Sequence, residues 1–225
     1  MRRTVSRYLD FETLLSRGEP AAIVLKLMMA CNDLTYANQA LADWKQDQQP
    51  HRRYRQRGTC MYFIRTEMSH LHEALKVVAE IRDNQELKQV VDQCDEETQR
   101  SFRRLELILP GGIERLEFER FVGRIRHNIT FHYAQSQQLV MRAMQDRAGR
   151  AESRGTSITR GSEAHLWHFQ AADEIVDSIV VRQLWQIPQN ADLATEANRI
   201  ADRMQEYVLA FLDFSGEFIW KWAQR

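Results

Sequence analysis

The chain has 225 residues, and 31 Lys and Arg balance 31 Asp and Glu, so its formal net charge is zero. At 44% hydrophobic and 28% charged, with 9 glycines and 4 prolines, it has globular usage. That excludes a disordered chain and argues against a loop-rich β sandwich or barrel. Neutrality also excludes attraction to nucleic acid or anionic membrane by bulk charge, so any such binding must come from a local patch.

The first residues, MRRTVSRYLDFETLLSRGEP, are basic at the start but lack the apolar core and small-residue cleavage site of a secretory signal. The longest strongly apolar stretch, Ala21–Cys31, is broken by Lys26 and is far short of a membrane span. Cys31, Cys60 and Cys94 are odd in number and widely spaced, which reads as free thiols of a reducing compartment. The expected location is the cytoplasm, with no membrane partner.

Pro20 suits a first helical turn, and Val24, Leu27, Cys31, Leu34, Ala37 and Leu41 recur at three- and four-residue steps, predicting a helix to about Lys45. Pro50 and His51–Gly58 interrupt it. A second helix is predicted from about Thr59 to Arg82 on Phe63, Ile64, Met68, Leu71, Leu75 and Val78. Asn84–Leu109 holds one or two amphipathic stretches, stopped by Pro110-Gly111-Gly112. From about Ile113 to Ile129, Phe118, Phe121, Val122, Ile125 and Ile129 share roughly 100° of helical arc.

A shorter helix is predicted at about Ser136–Arg147, then a Gly- and Ser/Thr-rich linker at 149–163. Helices at about Leu166–Trp185 and Ala191–Trp222 close the chain. The last carries Ala197, Ile200, Met204, Tyr207, Phe211, Phe214 and Phe218 as a heptad seam that buries against a partner helix. The pattern predicts an all-α antiparallel helical bundle. Its expected parts are a core at 1–148, a flexible linker or loop at 149–163, and a C-terminal helical pair at 164–225 packing on the core or on a dimer partner.

One segment concentrates chemistry: Gly123-Arg124-Ile125-Arg126-His127-Asn128-Ile129-Thr130-Phe131-His132-Tyr133. On a regular helix Arg126 and His132 lie roughly 120° apart, so they converge on one ligand only if the helix breaks near Thr130 or two chains contribute. Arg126, His127 and the following His132 resemble the Arg-polar-(x)n-His signature of the HEPN superfamily. The string IRHNITFHY is also similar to the Arg-Asn-Lys-x-x-Phe-His-Tyr form of bacterial HEPN-like proteins, with His127 where Asn is common. The match covers about ten residues.

The resemblance implies an α-helical, homodimeric protein with facing motifs, acting on RNA or binding nucleotides without metal or other cofactor. It further implies a toxin or antiphage setting, with a protein partner such as an antitoxin. The residue types suit that chemistry. An imidazole such as His132 titrates near neutrality and can serve as base or acid toward a ribose 2′-OH. A guanidinium such as Arg126 stays charged and matches phosphate oxygens, while His127, Asn128 and Tyr133 are placed to assist. The structural alternative is a helix-terminal or core imidazole, with Arg126 paired to Glu119 or Glu114 in a non-catalytic interaction module.

A second basic feature is His51–Arg57, where Arg52, Arg53, Arg55 and Arg57 surround Tyr54. Cations around an aromatic suit an RNA backbone and a stacked base, and equally a solvated loop. Five more arginines, at 142, 147, 150, 154 and 160, come after the HEPN-like segment. Glu67-x-x-His70, with His72 and Glu73, has no second copy to complete a di-iron set, so these residues are expected on an exposed polar face. His165 and His168 stand at i, i+3 without an obvious third ligand. No P-loop, GxGxxG, GxSxG or HExxH is present.

Overall fold

Pro20 occupies the first turn of a long helix, where its missing N–H leaves no bond unmade. The computed structural model describes residues 5–46, 56–125, 136–149, 155–163, 168–188, 191 and 193–225. Its elements are α1 (Phe11–Ser16), α2 (Glu19–Gln46), α3 (Gln56–Asp83), α4 (Gln85–Asp92), α5 (Glu96–Glu106), α6 (Arg115–Phe118), α7 (Gln137–Ala148), α8 (Gln170–Ser178) and α9 (Leu193–Trp222). Two π-helical turns, Glu119–Gly123 and Ile179–Leu184, continue α6 and α8. The protein is all-α, and no described helix is long and apolar enough to cross a membrane.

The described residues contain one small sheet. Ile158 and Thr159 (β1) pair antiparallel with Phe169 and His168 (β2). Periodicity predicts coil at 158–159 and helix from about Leu166, but the helix begins at Gln170. A pair two residues long carries no readable alternation, and its partners meet only in space.

The chain divides into two units. The first takes the described residues of Met1–Thr35, Glu73–Arg115 and Gln205–Arg225. Its core holds Val24, Leu27, Leu34, Leu75, Val78, Ile81, Leu87, Val90, Phe102, Leu105, Tyr207, Phe211, Phe214, Phe218 and Trp222, all buried. Phe214 packs between Phe102, at 4.9 Å, and Phe218, at 5.2 Å between ring centroids. Burying one such side chain contributes about 1.5–3 kcal/mol, so this aromatic row is a large share of the unit's stability.

Side-chain caps set the helix starts here. Asn84 accepts from Leu87 N–H at 3.1 Å to begin α4, and Asp95 accepts from Thr98 N–H at 2.8 Å to begin α5. Of the one or two stretches expected at 84–109, the structure shows two helices. After α5 the chain turns through Gly111, at φ 89°, and Gly112, whose N–H donates to Leu109 O at 2.8 Å. Glu114 fixes the exit: Arg104 Nη1 donates to its two oxygens at 3.1 and 3.2 Å, and the Tyr207 hydroxyl donates to it as well.

The second unit takes the described residues of Tyr36–His72 and Leu116–Met204. The predicted stripe is buried at each of its described positions, Phe118, Phe121, Val122 and Ile125. Met68, Leu71, Ala143, Ile179, Val180, Val181, Leu184, Trp185, Ile200 and Met204 are buried as well. Between α7 and α8, Arg147 Nη2 meets Glu174 Oε2 at 2.5 Å and Ser178 Oγ donates to Asp146 at 3.0 Å.

Candidate functional site

Arg115–Ile125 approaches the HEPN-like segment from its N-terminal side, and its local geometry departs from a plain α-helix. Within Glu119–Gly123 the Arg124 N–H bonds to Glu119 O, an i→i+5 step. Such a turn holds one residue more than an α turn, so the residues after it are set back by roughly 100° against the preceding stripe. Single π turns are uncommon and persist where other contacts hold them.

Contacts with α3 and with the segment after α8 hold this one. His72 of α3 is buried, and its Nε2 lies 3.2 Å from Glu119 Oε1. The His72 ring lies nearly parallel to Phe118, at 9° and 6.3 Å between centroids. The indole Nε1 of Trp185 donates to Phe121 O at 3.2 Å, and Arg120 Nη2 donates to Gln186 Oε1 at 3.0 Å. Glu119 also depends on Gly123: a methyl group there would stand 1.8 Å from Glu119 Oε2. The carboxylate occupies space that any larger residue would fill.

The exposed polar face expected for Glu67, His70, His72 and Glu73 is corrected in part, since Glu67 and His72 are buried at 5% and 6% exposure. The signal was legible in the spacing. His72 stands four residues after Met68 and three before Leu75, on the flank of the apolar stripe. Its partner Glu119 was not legible, because only the fold brings the two elements together.

Arg126, His127, Asn128, His132 and Tyr133 lie outside the described residues, as do Arg52, Arg53 and Arg55. Arg57 falls in the first turn of α3, which starts three residues earlier than predicted. Glu119 and Glu114, named in the structural alternative as partners of Arg126, are engaged by His72 and by Arg104 with Tyr207, respectively. His168 Nε2 lies 2.9 Å from Asp173 Oδ2 at the start of α8, while His165 lies outside the described residues.

In chemical terms the described part of this region is a buried imidazole facing a partly exposed carboxylate on a wide helical turn. The chain belongs to the class of all-α proteins by its fold. Comparison with protein-family models, curated proteins and solved structures returns no match.

Proposed function

We propose that this chain is an HEPN-like, metal-independent endoribonuclease or RNA-binding protein whose working segment is 126–133. The observation that carries the reading is Arg126-His127-Asn128 followed by His132-Tyr133, directly after a helix whose apolar stripe is buried through Ile125. An all-α fold is compatible with it. In this reading His132 takes the ribose 2′-OH proton, and the resulting oxygen attacks the adjacent phosphorus. The 5′-oxygen leaves with a proton from an acidic group, giving a 2′,3′-cyclic phosphate and a 5′-OH. Arg126 stabilises the charge on the phosphorane oxygens. His127, Asn128 and Tyr133 orient the phosphate or the imidazole, and Arg52, Arg53, Arg55 and Arg57 hold the RNA backbone by charge.

The test is cleavage of RNA in EDTA by the wild type, Arg126→Ala and His132→Ala. Activity in the wild type lost in both variants supports the reading, and equal activity in all three overturns it. Cleavage abolished by EDTA replaces it with metal chemistry.

A second reading, a non-catalytic interaction module of a toxin–antitoxin or antiphage system, is favoured by one observation. Val5, Tyr8, Phe11 and Leu15 are 75 to 94% exposed within eleven residues of chain. The seam of α9 supplies no such surface, because its described members Ile200, Met204, Tyr207, Phe211, Phe214 and Phe218 are buried within one chain.

A further inference from the structure

We infer that residues 5–17 form a strap that swings as one body about Gly18, latched onto α9 by two guanidinium–indole contacts. Arg7 lies over the Trp220 ring at 4.6 Å, and Arg17 lies over the Trp222 ring at 4.7 Å. Strap and anchor both belong to the first unit, and the device is independent of both readings above.

Between the two latches little ties the segment down. Leu14 is its one buried side chain, whereas Val5, Tyr8, Phe11 and Leu15 are exposed. Its hydrogen bonds are local. Asp10 accepts from the Thr13 N–H at 2.8 Å and from the Thr13 hydroxyl at 2.9 Å. The Leu14 N–H donates to Asp10 O at 3.0 Å, and the Arg17 N–H donates to Thr13 O at 3.3 Å. These bonds fix the shape of the segment without tying it to the helices beneath.

Two features make it move as a unit. With six residues, α1 is less than two turns long, so its bonds are lost together rather than one at a time. Arg7 stands three residues before the Asp10 cap, which carries the N-terminal latch close to the helix. The edge of the strap is Gly18, where α2 begins one residue later. Its φ of 63° lies in the left-handed region that glycine adopts without penalty, and nothing lies within 4 Å of where a Cβ would stand.

The apolar arc of α1 shows what the swing changes. Leu14, Phe11 and Leu15 span about 100° of the helix, with Phe11 between the other two. That is the width of a full core-facing stripe, yet only its Leu14 edge is buried. The closed strap hides that edge. The open strap presents the whole arc and lifts both cations from their indoles. A segment with so little burial opens more readily than the core helices, and each latch shifts the opening constant by about two- to fivefold.

The experiment is amide hydrogen exchange by NMR on the full chain. It reads Thr13, Leu14, Arg17 and Gly18, whose N–H groups all donate within the strap, with Phe211 of α9 as the global reference. In the wild type the four amides are expected to share one opening constant, at least about tenfold larger than that of Phe211. Arg7→Ala and Arg17→Ala are each expected to raise exchange at all four by about two- to fivefold and to leave Phe211 unchanged. Arg100→Ala removes an exposed arginine paired with Glu96 on α5 and is expected to change none of them. Wild-type rates from Thr13 to Gly18 in either strap variant, or equal changes in Arg100→Ala, overturn the latch. Four separate constants graded toward the terminus overturn the unit and leave ordinary fraying. Strap amides that exchange only as fast as Phe211 overturn the swing, because the segment then opens only with the whole fold.

Discussion

The indole N–H of Trp185 donates to the backbone carbonyl of Phe121 at 3.2 Å, joining the π turn after α6 to the residue that ends the π turn after α8. Both partners are buried. A buried polar group left unpaired away from water costs about 1–3 kcal/mol. Trp185→Phe removes the donor and part of the ring. It is expected to destabilise the protein by about 2–4 kcal/mol in chemical denaturation. A loss below about 1 kcal/mol would mean that the carbonyl finds a substitute partner.

Gly112 is the second sensitive backbone position. A methyl group there would stand 2.3 Å from Leu107 O and 2.4 Å from Glu106 O, both backbone atoms that cannot swing aside. Gly112→Ala is expected to force the turn open and cost at least about 2 kcal/mol, read as a lowered denaturation midpoint at unchanged slope. Gly155→Ala, where nothing lies within 4 Å, is the matched control and should be near neutral.

Phe214 tests whether the α9 seam closes within one chain. The side chain is fully buried against Phe102 and Phe218. Phe214→Ala should cost about 3–5 kcal/mol. For both the wild type and the variant, Tm should not change with protein concentration, whereas a seam completed by a second chain would give a Tm that rises with concentration.

The caps at Asp95 and Asp10 predict an acid dependence. The Thr98 backbone N–H, then the Thr98 hydroxyl, hold the Asp95 carboxyl below its ordinary value of 3.8. The Thr13 backbone N–H and hydroxyl do the same for Asp10. A carboxyl whose folded pKa is depressed adds stability that is complete above its unfolded value. That stability is lost as pH falls through the folded value. Thermal midpoints are therefore expected to be flat with respect to these groups at neutral pH and to fall below about pH 4. Asp95→Asn should flatten the acid-side slope, and an unchanged slope would exclude the cap as its source.

Much of the fold was legible because it is local. The spacing of Phe118, Phe121, Val122 and Ile125 names their buried face without knowledge of any neighbour, and all four are buried. Helix boundaries obeyed Pro20, Asn84 and the Pro110-Gly111-Gly112 stop, which act on their own backbone. The described part of the candidate site was less legible. His72 sits on the stripe's flank and was readable, but the wide turn that receives it was not, since a π step has no residue signature in a run such as ERFVG.

By itself, then, the order of residues determined an all-α chain, the apolar faces of its helices, and the concentration of Arg126, His127, Asn128, His132 and Tyr133 in one short run. Only the tertiary structure decided that Glu67 goes inside and that Glu119 faces the His72 imidazole. It alone decided that the α9 seam is filled within the chain. The reason is physical. Periodicity and capping are set by neighbours a turn away, whereas burial of a polar group and choice of helical pitch depend on partners supplied by distant elements.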